Sequence, residues 1–243
     1  MYPPKTTYHF PFQMMTKRRF FWALILFTGI IQSCAPARFV EPLDKKQVSV
    51  GGSFGGPLIQ FGAPIPIPLT SVDVGYGLDS NLTVFGSWHT TAALFNNAQL
   101  EGGLTHRFIK QRKYLPNVSV SPSFQFIYNF PNNLPKIWPV LDLNTYWNYG
   151  KRSNYFYVGL NNYFEFGSNI VNEQNPARHW LFNPQIGHVV KGKTNNWQLT
   201  AELKFLGPNI DNTYAFIPYM SLTGSRGAAG FFISYRWLFN QRK

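Results

Sequence analysis

The sequence predicts an all-β fold, an antiparallel transmembrane β-barrel of about ten strands (eight or twelve also fit), preceded by an N-terminal signal helix. Three observations predict it. Apolar and polar residues alternate with a period of two along most of the chain after residue 47, the signature of strands with unlike faces. The polar face carries mostly Ser, Thr, Asn, Gln, Gly and Tyr, which suits a crowded lumen better than a solvated exterior. Trp88, Tyr128, Trp147, Trp180, Trp197 and Trp237 fall near strand ends on the apolar face, where membrane barrels carry their aromatic girdles. Composition agrees: charged residues are 13% and aromatics 18%, the former about half the usual fraction.

The elements follow in order. Residues 1–13 fit no leader pattern, and Met14 or Met15 offers an alternative start. Lys17, Arg18 and Arg19 form a positive n-region. Phe20 to Ile31 is an apolar run of twelve residues, short for a bilayer span and right for a signal core. Ile31-Gln32-Ser33-Cys34 then resembles the lipobox of bacterial lipoproteins, with an aliphatic residue three places before the cysteine and a small one directly before it. The resemblance covers residues 16–34. It implies that 1–33 is a signal peptide, that Cys34 is diacylated on sulfur, and that the new amino terminus is acylated. Alanine rather than aspartate at 35 implies sorting to the outer membrane of a Gram-negative cell. An ordinary signal peptide or a small buried thiol remain the other readings of Cys34. As the only cysteine, it leaves no internal disulfide to stabilise the fold. Residues 34–46 read as a lipidated tether, 47–239 as the barrel and 240–243 as a periplasmic tail.

Within the barrel, Leu82, Val84 and Trp88 oppose Thr83, Phe85 and Ser87. Ala98, Leu100, Leu104 and Phe108 oppose Gln99, Glu101, Thr105 and Arg107. Val118, Val120, Phe124 and Phe126 oppose Asn117, Ser119, Ser121, Ser123 and Gln125. The same alternation runs through 154–166, 197–205 and 231–239. Pro122 and Pro184 sit on the apolar face and remove a ladder N–H, so bulges or shorter strands are expected there.

The connections come in two kinds. "GLDSNLT", "KQRKYLPN", "YGKRSN" and "VKGKTNN" are short and polar. "GGPLIQFGAPIPIPL", "HTTAALFNN", "FPNNLPKIW", "GSNIVNEQNPAR" and "LGPNIDNTYAFIPYMSLTGSRG" are longer and less basic. Short periplasmic turns and longer outside loops are the outer-membrane pattern. Here the chain resembles small outer-membrane β-barrels: "GLDSNLTVFG" looks like a periplasmic turn, and "GFFISYRWLF" like the terminal strand read by their assembly machinery. The departure is "NQRK" after the last aromatic.

The few charges on the polar face are Asp73, Glu101, Arg107, Asp142, Glu165, Glu202, Lys204 and Arg236. Inside a narrow barrel they must pair, so Glu101, Asp142, Glu165 and Glu202 are expected to meet Arg107, Lys204 and Arg236. A second set, Lys110, Arg112, Lys113, Lys151, Arg152, Lys191 and Lys193, falls in the short turns and makes a basic periplasmic rim. Anionic lipid, the cell wall or an acidic envelope protein are the partners such a rim suits, solvated turns being the plain alternative. Export makes nucleic acid an improbable partner, and no nucleic-acid motif is present.

No phosphate loop, zinc-protease helix, nucleophile elbow or metal-spaced Cys/His pair occurs, and no cofactor is expected. His89, His179, Glu173 and Asp211 are weak catalytic candidates, all placed near the outer rim. His106 and His188 read as interfacial aromatics on the lipid side. The composite expectation is a lipid-anchored, non-enzymatic barrel with a structural, docking or assembly role. Alternatives are a small-solute channel, a hydrolase at the outer rim, or a soluble lipoprotein barrel binding an apolar ligand.

Overall fold

The computed structural model describes residues 38–166, 179–213 and 217–239. The signal segment, Cys34, Glu173 and the 240–243 tail lie outside the described residues. The strands are β1 (Val48–Phe61), β2 (Ala63–Pro66), β3 (Leu69–Asp79), β4 (Leu82–Trp88), β5 (Asn97–Ile109) and β6 (Asn117–Asn129). They continue with β7 (Leu134–Tyr149), β8 (Asn154–Phe164), β9 (Trp180–Lys191), β10 (Trp197–Asp211) and β11 (Arg226–Phe239). A single helical turn, α1 (Thr90–Ala93), follows β4.

Ten strands, β1 and β3 to β11, pair antiparallel with their neighbours, and β11 closes onto β1 from Val48↔Phe239 to Pro57↔Gly230. Closure satisfies the strand edges internally, as hydrocarbon requires. β2 folds back on the far end of β1, from Leu58↔Pro66 to Phe61↔Ala63. Much of the stretch read from sequence as a first long loop is therefore a hairpin extension of the wall. The "FPNNLPKIW" loop likewise shrinks, because β7 already begins at Leu134.

Side chains follow the alternation. The outward row across β8, β9 and β10 includes Val158, Ile186 and Leu203, which are 48%, 54% and 53% exposed and adjacent in register. Exposed Leu100, Val74 and Ile233 continue the apolar band on other strands. At the end holding the chain's entry into β1 and the end of β11, outward rings stack: Trp147 on Phe156 at 5.5 Å, Tyr149 on His188 at 5.9 Å and Trp197 on Tyr235 at 6.2 Å. His106 is exposed. Trp88 and Trp180 are exposed near the opposite end. No helix among the described residues is long and apolar enough to cross a membrane, which says nothing about crossing by strands.

The two prolines act without the expected bulges. Pro122 stays in register opposite Leu141, while the pairing of β6 to β5 is interrupted between Gly103↔Ser123 and His106↔Val120. The β9–β10 ladder stops at Lys204↔Gln185, one residue short of Pro184. Beyond it the side-chain Oδ1 of Asn183 accepts from the Gly207 N–H at 2.8 Å. The register shifts lie elsewhere, at Gly77/Asp79, Arg107/Ile109 and Leu206/Asp211.

Candidate functional site

The barrel is not hollow at the end where the chain enters. Within the stretch read as a tether, residues 38–43 run into the lumen and pack against its wall, while Asp44, Lys45 and Lys46 are exposed at the mouth. Phe39 lies against Phe85, with Leu43 and Leu238 completing an apolar cluster. Val40 joins Tyr146, Tyr155, Tyr157 and Val189 in a second one. Two small cores thus form inside a wall whose inner face is mostly polar, with Trp138, Val140 and Phe232 as further buried apolar residues.

The Ser and Thr rows of that face satisfy the inserted backbone. The Thr105 and Ser121 hydroxyls donate to the Phe39 carbonyl at 3.0 and 3.3 Å. Ser119 donates to the Val40 carbonyl at 2.6 Å. The Leu43 N–H donates to Thr83 Oγ1 at 2.7 Å. An irregular segment in a dry interior would otherwise leave these groups unpaired, at about 1–3 kcal/mol each. At the mouth, Lys46 N–H donates to the Gly77 carbonyl at 2.7 Å and Gly77 N–H to the Gln47 carbonyl at 2.9 Å. Glycine is needed at 75 and 77: a Cβ at Gly77 would strike the Asp44 carbonyl, and one at Gly75 would come 2.5 Å from the Phe39 ring.

Arg38 is the centre of the charge arrangement. Its guanidinium pairs with Asp142, donates to Glu202 at 2.8 Å and donates to Gln185 Oε1. Those acceptors are themselves held: Gln185 donates to Asp142 at 2.8 Å and Asn144 at 2.9 Å, and Tyr157 donates to Glu202 at 2.6 Å. Arg236 donates to Asp73 at 2.7 Å and to the Arg38 carbonyl at 3.1 Å, with its guanidinium 4.4 Å from the Phe39 ring centroid. Lys204 approaches Glu202 at 3.5 Å. Nearer the mouth, Lys191 turns inward to pair with Glu41, which also accepts from Asn148 at 3.1 Å. Buried charges persist when each has partners of this kind.

The sequence-predicted residues divide accordingly. Asp73, Asp142, Glu202, Lys204 and Arg236 gather around the inserted segment. Arg107 instead points to the β3–β4 turn, donating to Asn81 Oδ1 at 2.7 Å and to the Ser80 carbonyl at 3.0 Å. Glu101 lies 3.5 Å from His89 and accepts from Ser123 at 2.8 Å. Glu165 takes Lys136 and the Trp138 indole N–H. Arg38 and Lys191 supply cations that sequence reasoning assigned to tether and rim. A signal was available: the polar strand face carries five acids, Asp73, Glu101, Asp142, Glu165 and Glu202, against three bases, Arg107, Lys204 and Arg236. Such an excess calls for a cation from outside the strands.

The described catalytic candidates each have other partners. His89 is buried in the lumen, not set on the rim, with Ser87 at 3.4 Å and Gln125 at 3.5 Å on the same ring nitrogen that faces Glu101. A base oriented by a carboxylate would need the two on opposite nitrogens. His179 is exposed and its Nδ1 lies 2.8 Å from the Glu165 carbonyl. Asp211 accepts from the Thr213 N–H at 2.8 Å. Six of the seven predicted rim cations, Lys110, Arg112, Lys113, Lys151, Arg152 and Lys193, are exposed at one end of the barrel.

No family model matches the chain, and no curated protein matches it either. Among solved structures, the translocator domain of autotransporter NalP from Neisseria meningitidis matches at 8% identity, covering 91% of this chain and 95% of that one, with a TM-score of 0.46. The outer membrane protein OprG from Pseudomonas aeruginosa matches at 10% identity over 84% of this chain and all of its own, with a TM-score of 0.34. Ail, the attachment invasion locus protein of Yersinia pestis, matches at 9% identity over 80% and 99%, with a TM-score of 0.26. At such identities and scores these likenesses carry no argument about activity.

Proposed function

We propose that the chain is a lipid-anchored outer-membrane barrel, closed by its own N-terminal segment, with a structural or docking role in the envelope rather than a transport or catalytic one. The observation that carries this is the seat of Arg38. One side chain from outside the strands meets Asp142, Gln185 and Glu202 from β7, β9 and β10, and the lumen groups around it are shared among buried ion pairs. A water-filled channel would keep such groups solvated. The outward apolar band and its aromatic rows support membrane insertion, and the lipobox supports the anchor.

Planar-bilayer recording tests the closure. Wild-type protein is expected to show no steady conductance, and a variant lacking residues 38–44 is expected to conduct. A large, steady conductance from the wild type overturns the closed reading. The anchor has its own check. Cells fed labelled palmitate should label the wild type and not Cys34→Ser. Absence of label in the wild type removes the lipid anchor from the proposal without touching the plug.

A further inference from the structure

Five of the rim cations sit on two turns that the structure clips together. The β5–β6 turn carries Lys110, Arg112 and Lys113, and the β7–β8 turn carries Lys151 and Arg152. β6 and β7 are neighbours in the barrel, so the turns flank one another. Between them lies an amide cluster. Gln111 accepts from the Asn148 N–H at 2.7 Å and donates to the Asn148 carbonyl at 3.2 Å. Asn117 donates to Asn148 Oδ1 at 2.6 Å and accepts from the Gln111 N–H at 2.9 Å. The turn backbones are thereby fixed while all five cationic side chains stay exposed. No Asp or Glu occurs between Glu101 and Glu165 except the lumenal Asp142, so neither turn contains a carboxylate, and Glu41, which accepts from Asn148 between them, is already paired with Lys191.

The surroundings add an apolar component. Tyr114 is 93% exposed and Leu115 63%, both at the tip of the basic turn. Exposed Phe108 and Ile109 precede that turn on β5, and the Trp147–Phe156 and Tyr149–His188 stacks flank the other one. Cations beside exposed aromatic and aliphatic side chains, continuous with an aromatic girdle, match the headgroup layer of a bilayer: phosphate outside, glycerol and acyl carbon beneath. What favours lipid over an acidic protein is that the apolar tip runs on, through Phe108, Ile109 and the ring stacks, into the outward apolar band of the wall itself.

We infer that these two turns form a binding site for anionic phospholipid headgroups, with Lys110, Arg112, Lys113, Lys151 and Arg152 on the phosphates and Tyr114 and Leu115 seated among the acyl chains. This rests on the membrane-spanning reading of the barrel. Each cation favours an anionic surface over a zwitterionic one, and with part of that attraction screened by salt the five together should favour anionic lipid by about tenfold.

Native mass spectrometry of full-length protein from mixed micelles, with equal phosphatidylglycerol and phosphatidylcholine, reads this as the ratio of lipids retained. Wild type should retain phosphatidylglycerol by about that factor, falling as salt is raised. The five-fold Gln variant (K110Q, R112Q, K113Q, K151Q, R152Q) should bring the ratio to near parity, while K45Q/K46Q at the same rim should leave most of it. Equal retention by the wild type overturns the site and points to an acidic protein partner instead. Preference surviving in the five-fold variant also overturns it. Flotation of the Cys34→Ser protein with liposomes after an alkaline wash, run alongside, reports whether the barrel itself inserts, so a failure of the membrane reading shows separately.

Discussion

Arg38→Ala should be among the most damaging single substitutions in the barrel. The side chain is buried with Asp142 and Glu202 against it. Truncation leaves two buried carboxylates with Lys204 as the remaining nearby cation at Glu202. Removing one member of a buried pair typically costs about 3–5 kcal/mol, and here the remaining geometry is braced by Gln185 and Tyr157 and cannot easily relax. The measurement is the temperature at which the compact form on a gel converts to the unfolded one. A marked fall is expected for Arg38→Ala and a smaller one for Arg38→Lys, which keeps the charge but loses the fork that reaches several acceptors at once. The double change Arg38→Met, Asp142→Asn should recover much of the loss, since Glu202 then keeps Lys204 as its counter-charge and the other carboxylate of the seat is gone. If Arg38→Ala melts with the wild type, the segment does not occupy the lumen in the membrane.

The second large effect lies on the opposite face of the wall. Leu203→Arg places a guanidinium in the row shared with Val158 and Ile186. At the hydrocarbon midplane a lipid-facing Arg costs about 2–4 kcal/mol, enough to lower the equilibrium constant for folding into liposomes about thirtyfold or more. A position three residues away inverts the expectation. Thr200, on the inward face of the same strand, is buried, and Thr200→Ser should be tolerated. For a soluble barrel the outcome differs: an exposed Leu→Arg there would be neutral or improve solubility. Urea titration of folding in lipid vesicles distinguishes the two, and equal midpoints for wild type and Leu203→Arg would refute membrane insertion.

The strand faces were legible in sequence because a period of two is enforced residue by residue. Leu100 and Glu101, Val158 and Tyr157, Leu203 and Glu202 face opposite ways as the alternation requires. The lumenal acids were legible for the same reason. Arg38 was not, because residues 35–46 have no periodicity and the hydroxyls that receive them, Thr83, Thr105, Ser119 and Ser121, read equally well as simple lumen lining. His89 was placed on the rim because "HTTAALFNN" looks like a loop from its first residue. In the structure β4 ends at Trp88, and His89, next in the alternation, turns inward toward Glu101. Lys191 is the converse case: at the end of β9 its side chain reaches back over Tyr155, 5.3 Å from the ring centroid, to Glu41. Partners of this sort come from distant parts of the chain, and local pattern does not encode them.

The inserted segment also constrains the order in which the molecule assembles. It leads directly into β1, and β1 is the strand that β11 must find to close the wall. That last pairing joins the two ends of the described barrel sequence, the contact with the greatest loop-closure entropy to overcome. Phe39, Val40 and Leu43 can gather Phe85, Tyr146, Tyr155 and Val189 beforehand, drawing β4, β7, β8 and β9 together around one short stretch. A segment docked early would give the sheet a nucleus about which to curl, and the seam would then shut with its contents already in place. A barrel that closed first would have to admit those side chains through its mouth, past the Lys46–Gly77 and Glu41–Lys191 contacts, and would mature slowly.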